Sequence, residues 1–302
     1  MNRLSSLLLI IGLLFFSCKE KRTTQNIEQN SAVAVLDFPQ PPADLDQNEA
    51  LEYVLMHFWD DLNVNDTSQT RNRDFIEQNF ANFTVFLSAN GDSLSRKNSI
   101  RHLMKKLEKD STAYHLMAKT AYHYLYDPQS PMLSEESFIP FMEILMESPL
   151  ISDSDKVRLD YLLENAYKNR PGMKATDFKY ITRRGSVATL LNTQSKGNIL
   201  LMFYDPDCEN CKDVIENMKA NDTLKEMIAQ GEMTVLAIYS GTEKAKWKEQ
   251  ARELPAEWIV GYEPGIIDDE ELYYWRATPT FYLLNPDKEV ILKDPPLSLI
   301  TG

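Results

Sequence analysis

The stretch Asn198-Ile199-Leu200-Leu201-Met202-Phe203-Tyr204-Asp205-Pro206-Asp207-Cys208-Glu209-Asn210-Cys211-Lys212 decides how the rest of the chain is read. Its first seven residues are too apolar, and the run too short, for a surface helix, so they predict a buried strand. From Cys211 onward, Val214, Ile215 and Met218 recur at helical spacing, and both sulfurs therefore stand where a strand hands over to a helix. Unpaired backbone N–H groups and the positive end of the macrodipole favour a thiolate there, bringing a thiol from about 8.5 towards about 7 or lower. The second cysteine, one helical turn on, is near enough to close a disulfide or to resolve a mixed one.

The cysteine count supports a redox reading. The chain has three cysteines and four histidines in 302 residues. With Cys18 accounted for separately, Cys208 and Cys211 are an isolated pair, and no histidine spacing supplies the other two ligands of a zinc site. Half a metal knuckle and a purely structural short-loop disulfide are the alternatives. His57, His102, His115 and His123 lie apart along the chain, and no metal site is expected. A net charge of −13 and a pI near 4.9 argue against nucleic-acid binding and against adhesion to anionic lipid. The apolar fraction, 43%, is ordinary for a globular protein, and the length suggests two domains at about 150 residues each.

The first residues read as a secretory signal. Asn2 and Arg3 give a weakly positive start, and Leu7-Leu8-Leu9-Ile10-Ile11-Gly12-Leu13-Leu14-Phe15-Phe16 is its apolar core. Ser17-Cys18 then resembles the bacterial lipobox, with Phe15 and Phe16 departing from the commonest pattern; the resemblance implies a signal over residues 1–18 and lipidation at Cys18. An uncleaved anchor or a soluble secreted product are the alternatives, and all three place the body outside the cytoplasm, where disulfides form. Residues 19–44 are polar and proline-bearing, with Pro39-Gln40-Pro41-Pro42, and predict a flexible tether. Lys19-Glu20 slightly resembles the signal that exports some Bacteroidota lipoproteins to the cell surface, leaving periplasm and surface both open.

Residues 45–170 carry a helical pattern throughout. Leu51, Val54, Leu55 and Phe58 fall at three-and-four spacing, as do Phe75, Ile76, Phe80 and Phe83. Ser134 and Ser152 stand at two helix starts, and Asp127-Pro128-Gln129-Ser130-Pro131 breaks two helices apart. Five to seven helices with short joins make an all-α domain. The tyrosines at 114, 122, 124 and 126 have core spacing rather than that of a ligand groove. Asn169-Arg170-Pro171-Gly172 closes the domain. Beyond it, over residues 173–302, a hairpin-like opening around Arg184-Gly185 precedes the buried strand. A helix from 223 to 230 closed by Gly231, a strand from 233 to 239, a helix from 244 to 254 and a final hairpin at Asn285-Pro286-Asp287-Lys288 complete an α/β pattern.

Strand, Cys208-Glu209-Asn210-Cys211, helix, and later Thr278-Pro279 opening a strand that enters a hairpin, together resemble the thioredoxin superfamily, in particular the membrane-anchored extracytoplasmic thiol-disulfide oxidoreductases of the TlpA/ResA type. The whole chain is similar to Bacteroidota lipoproteins with an uncharacterised helical domain before such a fold. The resemblance implies a thioredoxin-like α/β half after an all-α half, Cys208 as attacking thiolate, Cys211 as resolving thiol, and Pro279 as a cis-proline whose neighbour Thr278 presents backbone to an extended substrate. It also implies no cofactor, client proteins carrying disulfides, an upstream membrane electron donor and a lipid-anchored place in the cell envelope. Three departures stand out: Asp207, with Asp205 near it, replaces the apolar residue before the first cysteine; Met202 replaces a buried carboxylate; and few residues remain after the last strand for a terminal helix. Acids beside Cys208 disfavour its thiolate, which predicts a reductant. The other reading is a non-catalytic interaction lipoprotein that uses the helical domain for partners and the second fold as a platform.

Overall fold

The computed structural model describes residues 34–89 and 92–301. The predicted signal, Cys18, and residues 19–33 of the predicted tether lie outside them; the rest of that stretch lies against the helices rather than free, with Leu36 N donating to Asn79 Oδ1 at 2.8 Å and the Phe38 ring 4.9 Å from that of Phe86. Residues 35–302 form one unit.

Its first half is helical: α1 (Gln47–His57), α2 (Thr67–Thr70), α3 (Arg73–Ala89), α4 (Ser93–Leu107), α5 (Ser111–Leu125), α6 (Glu135–Glu147) and α7 (Asp153–Tyr167). Side-chain caps set most of the starts. Asp46 and Glu49 form a reciprocal capping box on α1, Asp110 accepts from two N–H groups of α5, and Ser134 and Ser152 cap α6 and α7. The apolar stripes meet in one core around Trp59, Phe80, Phe83, Tyr114, Phe138 and Phe141, all fully buried. Tyr114 and Tyr126 belong to that core, as their spacing predicts, and Tyr124 packs partly buried against it, whereas Tyr122, expected with them, is exposed at the surface.

The second half is a seven-stranded sheet of order β2-β1-β5-β4-β3-β6-β7, built from β1 (Lys179–Thr182), β2 (Val187–Thr189), β3 (Asn198–Phe203), β4 (Met233–Ser240), β5 (Ile259–Glu263), β6 (Thr280–Leu284) and β7 (Val290–Lys293). Strand β3, inside the sheet between β4 and β6, runs parallel to β4 and antiparallel to β6, and β4 runs parallel to β5. Alternation of side chains along β3 feeds two cores. Leu200 and Met202 face α8 (Glu209–Ala220), α9 (Asp222–Gln230) and α10 (Lys244–Gln250), whereas Ile199, Leu201 and Phe203 face α11 (Ile266–Asp269) and the aromatic run at 272–275. That run and α11 cover the second face. The short α12 (Leu297–Thr301) packs Leu297 and Ile300 onto the first.

Strand β5 is the element the sequence hides. Gly261 interrupts its apolar run, and the reason is space: a Cβ there would stand 2.5 Å from Tyr180 Cδ2 and 2.6 Å from Ile238 Cδ1.

The two halves share buried ions. Glu135, at the start of α6, pairs with Lys293 of β7 at 2.6 Å and with Arg276 at 3.6 Å, and Arg276 also holds Asp294 at 2.5 Å. Lys293 Nζ donates to the carbonyls of Asn165, Ala166 and Lys168, closing the C-terminal end of α7. The Arg276 guanidinium lies 4.7 Å over the Tyr126 ring, and Tyr126 Oη donates to Tyr274 Oη at 3.1 Å.

Candidate active site: a dithiol at a helix start

Strand β3 carries the chain to the dithiol, and a tight turn delivers it. Tyr204 N donates to Ile238 O at 3.1 Å as the strand ends. Asp205 then accepts from the Asp207 N–H at 2.7 Å through its carboxylate and from the Cys208 N–H at 3.2 Å through its carbonyl. Cys208 is itself the N-cap of α8: its backbone is extended, at φ −77° and ψ 114°, and its Sγ accepts from the Cys211 N–H at 3.2 Å. The sulfur thus takes the place that a serine or aspartate oxygen takes on α1, α5, α6 and α7. Cys208 is partly exposed and Cys211 fully buried, and both are free thiols.

The second arm is the loop before β6. The Thr278–Pro279 peptide is cis, and the Thr278 carbonyl accepts from the Cys208 thiol at 3.4 Å and from Asn210 Nδ2 at 3.2 Å. Thr280 Oγ1 closes the loop by donating to Ala277 O at 2.7 Å. Four of the residues singled out by sequence, Cys208, Cys211, Thr278 and Pro279, therefore stand together. Asn210, between the cysteines, has no signal in the sequence beyond its position, yet it ties the helix to the loop.

The two sulfurs are held in opposite states. Burial works against a Cys208 thiolate, but hydrogen bonds from the Cys211 thiol, the Thr278 side chain and the Cys211 N–H outweigh it, so this thiol ionises more readily than an ordinary one; the charge of Asp205 opposes them only weakly. Burial pushes the Cys211 thiol up to about 12. Asp207 is engaged elsewhere, 2.5 Å from Lys246 Nζ on α10, which blunts the field that two neighbouring acids lead one to expect at Cys208. Met202 and Tyr204 lie in the same buried cluster as Cys211, and the Tyr204 hydroxyl, buried and without a hydrogen-bond partner among the described residues, is held protonated by its burial. A thiolate fraction rises with pH, so alkylation of Cys208 by iodoacetamide is expected to reach half its maximal rate below about pH 8.5. Cys211 stays unlabelled throughout the neutral range. A Cys208 midpoint at or above that of free cysteine would contradict the geometry.

Among the described residues no group of three His, Cys, Asp or Glu is placed to hold a metal ion, and no helix is long and apolar enough to cross a membrane. His57 and His102 both meet Asp60, at 2.6 and 3.0 Å, on the exposed surface of the helical half.

A mixed sheet with a dithiol at the end of an interior strand and a cis X–Pro loop against the first sulfur defines a thioredoxin-like protein, here with seven helices before the sheet among the described residues. The chain belongs to the family described as a domain of unknown function (DUF5106), which matches residues 17–169. A thioredoxin-like protein from Bacteroides caccae, solved as a crystal structure, is 32% identical to it, covering 88% of this chain and 96% of its own, with a TM-score of 0.78. A conserved protein of unknown function from Bacteroides fragilis is 39% identical over 43% of this chain and 96% of its own, with a TM-score of 0.41. The thioredoxin domain of a thiol-disulfide oxidoreductase from Bacteroides vulgatus is 16% identical over 44% of this chain and 99% of its own, with a TM-score of 0.38. Among curated proteins, none matches this chain.

Proposed function

We propose that this protein is a lipid-anchored thiol-disulfide oxidoreductase of the TlpA/ResA type, tethered through Cys18 in the cell envelope and reducing disulfides of extracytoplasmic client proteins. One observation carries the reading: a partly exposed, readily ionised Cys208 on a helix start, with protonated Cys211 behind it and the Thr278 carbonyl in front. Cys208 Sγ as thiolate attacks one sulfur of a client disulfide. That S–S bond breaks, the client's other sulfur leaves as thiolate and takes up a proton, and a Cys208–client mixed disulfide forms. Cys211 then gives up its proton and attacks Cys208 Sγ, and the client's second sulfur leaves and is protonated. Two electrons pass from the dithiol to the client, which ends as a dithiol while Cys208 and Cys211 end as a disulfide. A donor dithiol on the membrane side returns the pair to its starting state by the same exchange in reverse.

The reducing direction rests on Cys208. A strong oxidant owes its potential to a thiolate drawn far down, and here burial and the charge of Asp205 both work against the hydrogen bonds that favour the Cys208 thiolate. Equilibration with glutathione redox buffers, read by thiol counting in the mass spectrometer, is expected to give a potential below about −150 mV. A higher value would reverse the direction, and failure to equilibrate at all would remove the oxidoreductase reading.

A further inference from the structure

Beside the dithiol, on the side of the Thr278–Pro279 loop, lies a trough of about 360 Å³, of the size that ligand sites occupy. It is lined by α8, through Asn210 and Val214, and by the loop with Phe281. The rest of its wall includes part of the helical half: the turn between α5 and α6, with Pro128, Pro131 and Leu133. We propose that this turn is a specificity element for the client, and that the trough takes an extended, disulfide-bearing polypeptide segment whose residue beside the cysteine is uncharged and apolar.

The inference rests on the exchange reading above and adds the helical half to it. The trough opens on the groups that touch Cys208, because Asn210 and Thr278 line it and also meet each other at 3.2 Å. What enters it therefore adjoins the sulfur under attack. Its lining offers no free charge: Asp294, the one ionisable side chain there, is held by Arg276 at 2.5 Å. Prolines make up much of the wall, and a prolyl residue has no N–H to donate, so recognition runs through apolar contact. The other flank of Cys208 is different in kind, a hollow lined by Asp207, Lys212, Glu216 and Lys246. Chemistry on the two sides of the thiol is thus split between charged and apolar.

The helical wall is built rather than draped. Ser130 Oγ donates to Tyr124 O at 2.6 Å and accepts from Met132 N at 3.1 Å, Leu133 N donates to Ser130 O at 3.2 Å, and Ser134 N donates to Leu125 O at 3.0 Å. Two residues past Leu133, the Glu135 ion pairs tie the turn to β7 and to Arg276, which stands two residues before Thr278. The wall and the loop are consequently fixed to each other, which spares a bound segment the cost of ordering them.

The test uses the full chain in its dithiol state and two synthetic peptides, each in mixed disulfide with glutathione and differing only in leucine or serine next to the cysteine. The protein is expected to reduce the leucine peptide about tenfold faster than the serine peptide. Pro131→Asp, at an exposed position, is expected to bring that ratio close to one, and Pro131→Val to keep it. Val214→Asp on α8, in the same lining, gives the same loss of preference, so the outcome does not hang on one variant. Exchange that runs at equal rates on both peptides, or a preference that survives Pro131→Asp and Val214→Asp in folded protein, overturns the assignment of the wall. Absence of exchange with either peptide and with oxidised glutathione overturns the oxidoreductase reading and the wall with it.

Discussion

Cys211→Ser is expected to turn the protein into a trap. Cys208 keeps its place as helix cap, because the hydrogen bond it accepts comes from the backbone N–H of residue 211 and survives the change. It still attacks, but nothing resolves the mixed disulfide, so client proteins accumulate on it as species that dithiothreitol releases. Turnover on a model disulfide falls on the order of a hundredfold or more while the first attack persists. The unaltered protein should show the same species briefly, and less of it as pH rises, since Cys211 must lose a proton that burial holds to about 12. Non-reducing electrophoresis after acid quenching reads both effects. If Cys211→Ser carries no adducts where Cys208→Ser carries none either, the pair does not exchange with proteins.

The second large effect is on stability. Glu135, Arg276 and Lys293 are almost wholly removed from solvent, at 7%, 6% and 4% side-chain exposure, and burial raises the Glu135 pKa despite its two cationic neighbours. Glu135→Ala leaves Lys293 and part of Arg276 without their counter-charge. Breaking one partner out of a buried ion cluster costs about 3–5 kcal/mol. For a chain of this size that lowers the melting temperature by on the order of ten degrees. Glu135→Gln, which keeps the shape and can still accept a hydrogen bond, should lose less. Calorimetry separates the cases, and a Glu135→Ala protein melting within about two degrees of the parent would show that water reaches the cluster and screens it.

The elements with the strongest periodicity were the ones legible from sequence. The apolar run of β3, the helical stripes of residues 45–170 and the Gly231 stop, at φ 77°, all stand where their spacing puts them. β5 was not legible, because packing against Tyr180 and Ile238 demands a glycine in mid-strand and glycine reads as a break. The predicted helix from 244 to 254 ends at Gln250, with turns following it. At the site, sequence brings out the residues with special chemistry, two sulfurs and a proline. Asn210, Lys246 and the turn at 128–133 stay hidden because what matters in them is where the fold puts them: an amide against Thr278, an ammonium against Asp207, three apolar side chains in the trough beside α8. The influence of Asp207 was overestimated from sequence for the same reason, since proximity along the chain says nothing of a lysine arriving from α10.

Lys293 has a consequence for how this architecture can be rearranged. Its ammonium finishes a helix whose C-cap, Lys168, lies 125 residues earlier, and does so from the last strand of the sheet. Cut apart, the helical piece would bare a row of carbonyls at the negative pole of α7, and the sheet piece would bare a basic spot made by Lys293 and Arg276. The fragments would be lock and key for one another, so a shuffling event or a chimera that exchanges either piece alone inherits a mismatched seam.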